Sequence, residues 1–276
     1  MELARIAALA GSGGAGGPVL THTSAALLWG LPVWRMPGKV HVLVRGSRSG
    51  RAAPDVVGHV MVVEPEHVVT CHGLRVTSLE RTILDVARSA SAVDALVVAD
   101  AALRAGADPQ VVHGLVARAA GHRGIARARE VLGYADAGAE SPWESFARLH
   151  VLAAGLPAPE TQVQVATHRG NFWADLGWRE PRRLVEFDGR VKYGDLAGSD
   201  PAKVLIEEKR RQDAIAEQGW RLLRLTSADF RDPAVLHRRL RAFLPQDPRV
   251  PLTPRPHLLL PHGGNENPPT AQRRTP

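Results

Sequence analysis

The chain has one cysteine, Cys71, among 276 residues, and only 5% of its residues are aromatic. A single thiol excludes an internal disulfide framework and any zinc site built on several thiolates. It suits a reducing compartment, so a cytoplasmic protein is expected. No apolar run approaches the roughly 20 residues of a membrane-spanning helix. Met1 to Leu9 mixes acid, base and alanine where a signal peptide would carry an unbroken apolar stretch, and no membrane partner is expected. Acidic residues are in the minority: 28 Asp and Glu stand against 35 Lys and Arg, a formal net charge of +7. That excess makes a polyanion, DNA first, the partner to consider, although it bears on association and not on fold. There is no P-loop and no Gly-x-Ser-x-Gly elbow. The twelve histidines are scattered, with His67 and His72 off the i,i+4 spacing of helical zinc pairs, and read as surface or core residues.

What is present is a 44% hydrophobic fraction, enough for two modest folded domains. Gly11 to Gly17 matches GxGxxG, but no strand precedes it and no acid lies about 20 residues on, so residues 1–17 read as a flexible N-terminus. From residue 18 the patterns alternate between periods. Thr23 to Leu31 reads as a short helix stopped by Gly30, and Val40–Val44 and Val56–Val63 as strands. His67 to Thr77 reads as a hairpin turning at His72-Gly73. Thr77-Ser78-Leu79-Glu80 has capping-box spacing ahead of a helix through Ala87, and a second helix is expected from Ser91 to Arg104. Residues 108–129 read as helical and Arg-rich, ending in a hinge at Gly133 to Gly138.

The region beyond is ordered as helix, three strands in a meander, helix, strand, helix: 141–152, 162–165, 172–178, 184–188, 202–218, 221–225 and 234–244. Past Pro245 the Pro-rich composition predicts a disordered tail. Three acids stand out here. Glu186 and Asp188, two apart on a strand, project to one face, and Asp175 approaches them if the neighbouring strand pairs antiparallel. Three carboxylates make a hard oxygen cage for Mg²⁺ or Mn²⁺, which could activate water at a phosphodiester, with Lys192, Lys209, Arg210 and Arg211 nearby for phosphate. The bland alternative is a turn at Asp188-Gly189, a solvent-facing Glu186 and an Arg-paired Asp175. Glu144 is similarly divided between an accessory acid and the N3 residue of a capping box opened by Ser141-Pro142. Gln162 either orients a phosphate or decorates an edge strand, and Glu207 to Arg211 reads as a solvated helix face.

Taken in order, Glu144, Gly155-Leu156-Pro157, Gln162, Ala174-Asp175-Leu176, Leu184 to Tyr193, Glu208-Lys209-Arg210 with Asp213, and Gly219 to Thr226 resemble the very-short-patch-repair-like branch of the PD-(D/E)XK nuclease superfamily. The resemblance implies a restriction-endonuclease-like mixed sheet flanked by helices, with DNA as substrate. It implies Mg²⁺ or Mn²⁺ held by Asp175, Glu186 and Asp188, Lys192 stabilising charge, and Glu144 as a helix-borne acid. The family signature has a lysine where this chain has Asp188, so the implied activity rests on Lys192 from another backbone position or on the carboxylates alone.

The first region, through Thr21 to Leu31, the strand at Val40 and Gly73 to Asp85, resembles the C-terminal part of AbiEi-type antitoxins and repressors. The winged helix with which that group begins has no counterpart before Thr21. This resemblance implies regulation and a cognate toxin as partner, the nuclease-like part then serving for binding. The expected organisation is an α+β domain at 18–118, a helical linker at 119–139, an α/β nuclease-like domain at 140–244 and a disordered tail at 245–276.

Overall fold

The computed structural model describes residues 17–44, 54–189, 201–245 and 252–260. They belong to two compact units, one drawn from residues 1–137 and 260–276 and the other from residues 138–259. Both are mixed α and β. Residues 11–16 and Lys192 lie outside the described residues.

The first unit opens with β1 (Val19–Leu20), α1 (His22–Leu28), β2 (Val40–Val44) and β3 (Val56–Val60), followed by β4 (Val68–Cys71) and β5 (Leu74–Thr77). The sheet order is β3-β2-β1-β5-β4. Its centre is the two-residue β1, too short to show a period, which pairs antiparallel with β2 and parallel with β5. Strands β2 and β3 run parallel, in the register His41↔Val57 and Leu43↔His59. The expected hairpin forms between β4 and β5. Its turn places His72 at φ 49° and Gly73 at φ 76°, the left-handed pair that matches the twist of a two-residue hairpin. Leu20, Ala25, Leu28, Val40 and Val76 make the core beneath α1.

Helices α2 (Leu79–Ser89), α3 (Ala92–Arg104), α4 (Pro109–Arg118) and α5 (Ile125–Leu132) complete this unit. The cap of α2 differs from the expected box by one residue. Ser78 is the N-cap and accepts from Arg81 N at 3.3 Å, and Glu80 instead accepts from the backbone N–H of Asp108 at 3.2 Å. The Arg-rich run 108–129 is two helices, and the segment expected as a linker holds α5, whose Ile125, Ala128 and Val131 are buried in the unit.

The second unit holds α6 (Pro142–Ala153), β6 (Glu160–Thr167), β7 (Gly170–Trp178), β8 (Arg183–Phe187), α7 (Pro201–Glu217), β9 (Arg221–Leu225) and α8 (Pro233–Phe243). The expected order of elements is therefore present. β6, β7 and β8 form the antiparallel meander, and β9 joins β8 in parallel after the α7 crossover. Alternation along the strands buries both faces. Leu176, Trp178, Val185 and Leu225 pack with Ala147 and Val151 of α6 and Leu236 and Leu240 of α8. Val163, Val165, Ala174 and Leu184 pack with Ile215 of α7. The unit is thus a three-layer α/β/α arrangement.

Residues 252–259 correct the expectation of a disordered tail. Arg255 N donates to Ala153 O at 2.9 Å, Pro256–Leu259 forms a 3₁₀ turn, and Leu258 is buried. Gly155 makes the approach possible: its φ is +80°, and a Cβ there would lie 2.6 Å from the Thr253 carbonyl carbon. Proline disfavours helix interiors and central strands, but it does not prevent an extended segment from satisfying a helix-end carbonyl.

Candidate functional site

The second unit sets three of the sequence-predicted residues at neighbouring positions on adjacent strands, Gln162, Asp175 and Glu186, but turns Gln162 toward Glu144 of α6 and Glu186 toward Arg211 of α7, on opposite faces of the sheet. In β6 and β7 the register Thr161↔Leu176 and Val163↔Ala174 sets Gln162 opposite Asp175. In β7 and β8 the register Leu176↔Val185 sets Asp175 beside Glu186. The alternation slips at this point: Ala174 packs on the α7 side and Leu176 on the α6 side, and Gln162 stands at φ 48°. The slip turns Asp175 inward, where its carboxylate accepts from Phe187 N at 2.7 Å and so replaces a ladder carbonyl. Glu144 meets Gln162 from α6. Its carboxylate accepts from Glu140 N at 2.8 Å and from the Gln162 side-chain amide at 3.4 Å, and Ser141 caps its own N–H at 3.3 Å. The Glu144 carboxylate thus accepts from the backbone one residue before the N-cap, where a capping box would reach Ser141 itself, and the Gln162 amide donates to it as well.

Glu186 faces α7, as Leu184 does, and both of its oxygens meet Arg211, one of them at 3.2 Å. Arg224 approaches it from β9 with Nε at 3.6 Å. Glu208 binds the same two guanidinium groups, 3.2 Å from Arg211 and in close contact with Arg224. The result is an alternating Glu-Arg-Glu-Arg net with Glu186, 13% exposed, at its inner end. Arg211 also lies over the Phe172 ring, 5.4 Å from the centroid. Asp188 sits just beyond β8, where its N–H donates to Leu225 O at 2.7 Å. The expected solvated face of α7 holds in part: Arg210 pairs with Glu207 at 2.6 Å in the exposed part of the helix, whereas Arg211 is turned to the sheet.

Among the described residues, one set of three His, Cys, Asp or Glu side chains has ligand atoms that converge, and it lies in the first unit. His22, His41 and His59 bring one donor atom each within 4.8 Å of one another. Backbone geometry assembles them. Thr21 N donates to His41 O at 3.1 Å, and His41 N donates to Ser24 Oγ at 2.9 Å, which fastens β2 to the start of α1. The parallel register then places His59 diagonally across from His41 on the same face. His41 Nδ1 and His59 Nε2 share a hydrogen bond at 2.9 Å, and the His22 and His59 rings stack with centroids 3.7 Å apart. His22 begins α1 at φ 53° and is 5% exposed.

Behind His22 stands a buried polar relay. Thr21 Oγ1 donates to Asp85 Oδ2 at 2.9 Å and lies 3.2 Å from His22 Nδ1. Arg81 Nε donates to Asp85 Oδ1 at 2.9 Å. Burial pushes the Asp85 carboxyl up, with the Arg81 guanidinium and the Thr21 hydroxyl pulling against it. Burial, followed by the neighbouring His59 and His41, drives His22 down to about 2, and burial also lowers His41. Both imidazoles are neutral at physiological pH. Sequence spacing missed this set because its members sit on three elements, joined only by the β2/β3 register and the Thr21 and Ser24 bonds.

Residues 18–134 match the family described as AbiEi antitoxin C-terminal domain. The histidine set and its relay fall inside that match. Two uncharacterised proteins of Mycobacterium tuberculosis, from strains CDC 1551 / Oshkosh and ATCC 25618 / H37Rv, are each 35% identical over 162 residues. The match covers 58% of this chain and 58% of each relative, so the chain spans little more than half the length of the curated relatives it matches. No solved structure matches. No helix among the described residues is long and apolar enough to cross a membrane.

Proposed function

We propose that this chain is a non-enzymatic regulator or antitoxin of the AbiEi kind, in which the second unit serves as a binding platform for DNA or a cognate toxin. The observation that carries the reading is the antitoxin-domain similarity over residues 18–134. The state of the acids in the second unit supports it. A hard cation needs carboxylate oxygens turned toward it, whereas Glu186 is held by Arg211 and Arg224 and Asp175 by the Phe187 N–H. In this arrangement the Glu186 carboxylate is turned to arginine and does not join Asp175 in an open oxygen cage for Mg²⁺ or Mn²⁺. The net charge of +7 favours a polyanionic partner.

The second reading is a metal-dependent endonuclease of restriction-endonuclease-like fold. The adjacency of Asp175 and Glu186 on β7 and β8 favours it, together with the PD-(D/E)XK resemblance. It requires Arg211 to leave Glu186 and assigns Asp188 and Lys192 to the site.

The two readings part in one experiment. Purified full-length protein is incubated with Mg²⁺ or Mn²⁺ and duplex, mismatched, nicked and branched DNA, and binding is measured across salt concentrations in parallel. The regulator reading expects no cleavage, with salt-sensitive binding of DNA or toxin that Asp188→Ala leaves unchanged. Metal-dependent turnover abolished by Asp175→Ala or Asp188→Ala overturns it.

A further inference from the structure

We propose that His22, His41 and His59 form a binding site for a single divalent transition ion of the zinc type, in the first unit and independent of the acids of the second. Three imidazoles are a donor set that suits zinc, copper or nickel and not magnesium. Nitrogens bound to one tetrahedral zinc at ~2.0–2.1 Å stand about 3.4 Å apart. Here two donor atoms are 2.9 Å apart and the whole set lies within 4.8 Å. Ring rotations that move the donors by about 1 Å therefore complete the geometry. The stacked His22 and His59 rings turn out of their stack, and the proton between His41 and His59 moves to the far nitrogen of its own ring.

The relay behind His22 adds an independent observation. Thr21 has one hydroxyl proton, given to Asp85, so toward the ring it can only accept. Nδ1 of His22 then carries the proton and Nε2 keeps its lone pair. An outer partner fixing the tautomer of a metal-binding histidine is the usual second layer of such sites, and Arg81 holds Asp85 in turn. His41 and His59 are half-buried, so solvent reaches the site. With three protein ligands, a fourth position remains for water or a donor from a partner.

The test uses the metal-stripped full chain, titrated with Zn²⁺ by calorimetry and with Co²⁺ by visible absorption. The expectation is one tight equivalent, a tetrahedral Co²⁺ spectrum and a thermal midpoint that rises with free Zn²⁺. His41→Ala and His59→Ala, both on half-buried strand positions, lose the spectrum and more than ~100-fold in affinity, beyond the 10–100-fold typical of an outer partner. Thr21→Val keeps the stoichiometry and weakens binding by about 10-fold or more. His22→Ala is checked for folding by circular dichroism, and the strand variants carry the test if it fails to fold. Absence of stoichiometric binding, or binding unchanged in folded His41→Ala and His59→Ala, overturns the proposal.

Discussion

The first unit gathers three imidazole donors beside a buried Arg81–Asp85 ion pair, to which Thr21 links His22. The second gathers carboxylates and meets them with guanidinium groups and backbone N–H groups. His22, His41 and His59 bring one nitrogen donor each within 4.8 Å of one another, whereas Glu186 is held between Arg211 and Arg224. The difference teaches which polar clusters can accept a guest. Neutral imidazoles keep lone pairs that cost little to redirect, while an acid already matched to a cation must break that pairing first. Two clusters that look alike as lists of titratable residues therefore differ in what they can do.

The most severe way to break the comparison is to remove Arg81. Both members of its pair with Asp85 are nearly inaccessible, and an orphaned buried carboxyl typically costs about 3–5 kcal/mol. Urea denaturation of Arg81→Ala, followed by hydrogen exchange along α2, should show that loss in the first unit. Next in size is Gly155→Ala. The positive φ and the Thr253 clash together should cost the second unit about 2–3 kcal/mol, read as a lowered denaturation midpoint with amide protection lost around Arg255.

A pH titration sharpens the contrast in a third way. His150 of α6 is 2% exposed, and burial, with His237 beside it, holds it down to about 3. The unfolded chain takes up a proton near pH 6.5 and the folded chain does not, so stability is full above that pH and lost as pH falls below it. The contribution of His150 approaches about 1.4 kcal/mol per pH unit between 6.5 and 3, alongside that of other buried histidines such as His22. His150→Phe should reduce the slope by about that amount, and a slope unaltered in that variant would count against the assignment. The smallest effect is expected for Arg211→Ala. Its side chain is 23% exposed and Arg224 remains with Glu186, so about 1 kcal/mol is expected after solvent screening. A much larger loss on denaturation would mean that the net depends on Arg211 alone.

Much of the fold was legible in local pattern. The β2 and β9 segments coincide with their alternating runs, and the β4/β5 turn falls at His72-Gly73 as left-handed turn chemistry requires. What was not legible depends on pairing between distant elements. The two-residue β1 has no periodicity, and the Arg211 contact with Glu186 follows from how α7 lies on the sheet. Asp175 was picked out by residue type, but its bond to Phe187 N arises from a slip in alternation that also needs Gln162 in an unusual backbone state. The three imidazoles are joined by a register that no spacing rule encodes.

The segment that docks on the end of α6 also bears on the order of events during synthesis. Helix α6 is made at residues 142–153, but the Arg255 N–H that donates to the Ala153 carbonyl, and the buried Leu258, arrive only after every strand of the same unit has been made. On a ribosome, the second unit therefore waits with one helix end exposed until residues 253–258 have emerged. A chain shortened to the last helix of that unit would remain in this unfinished state.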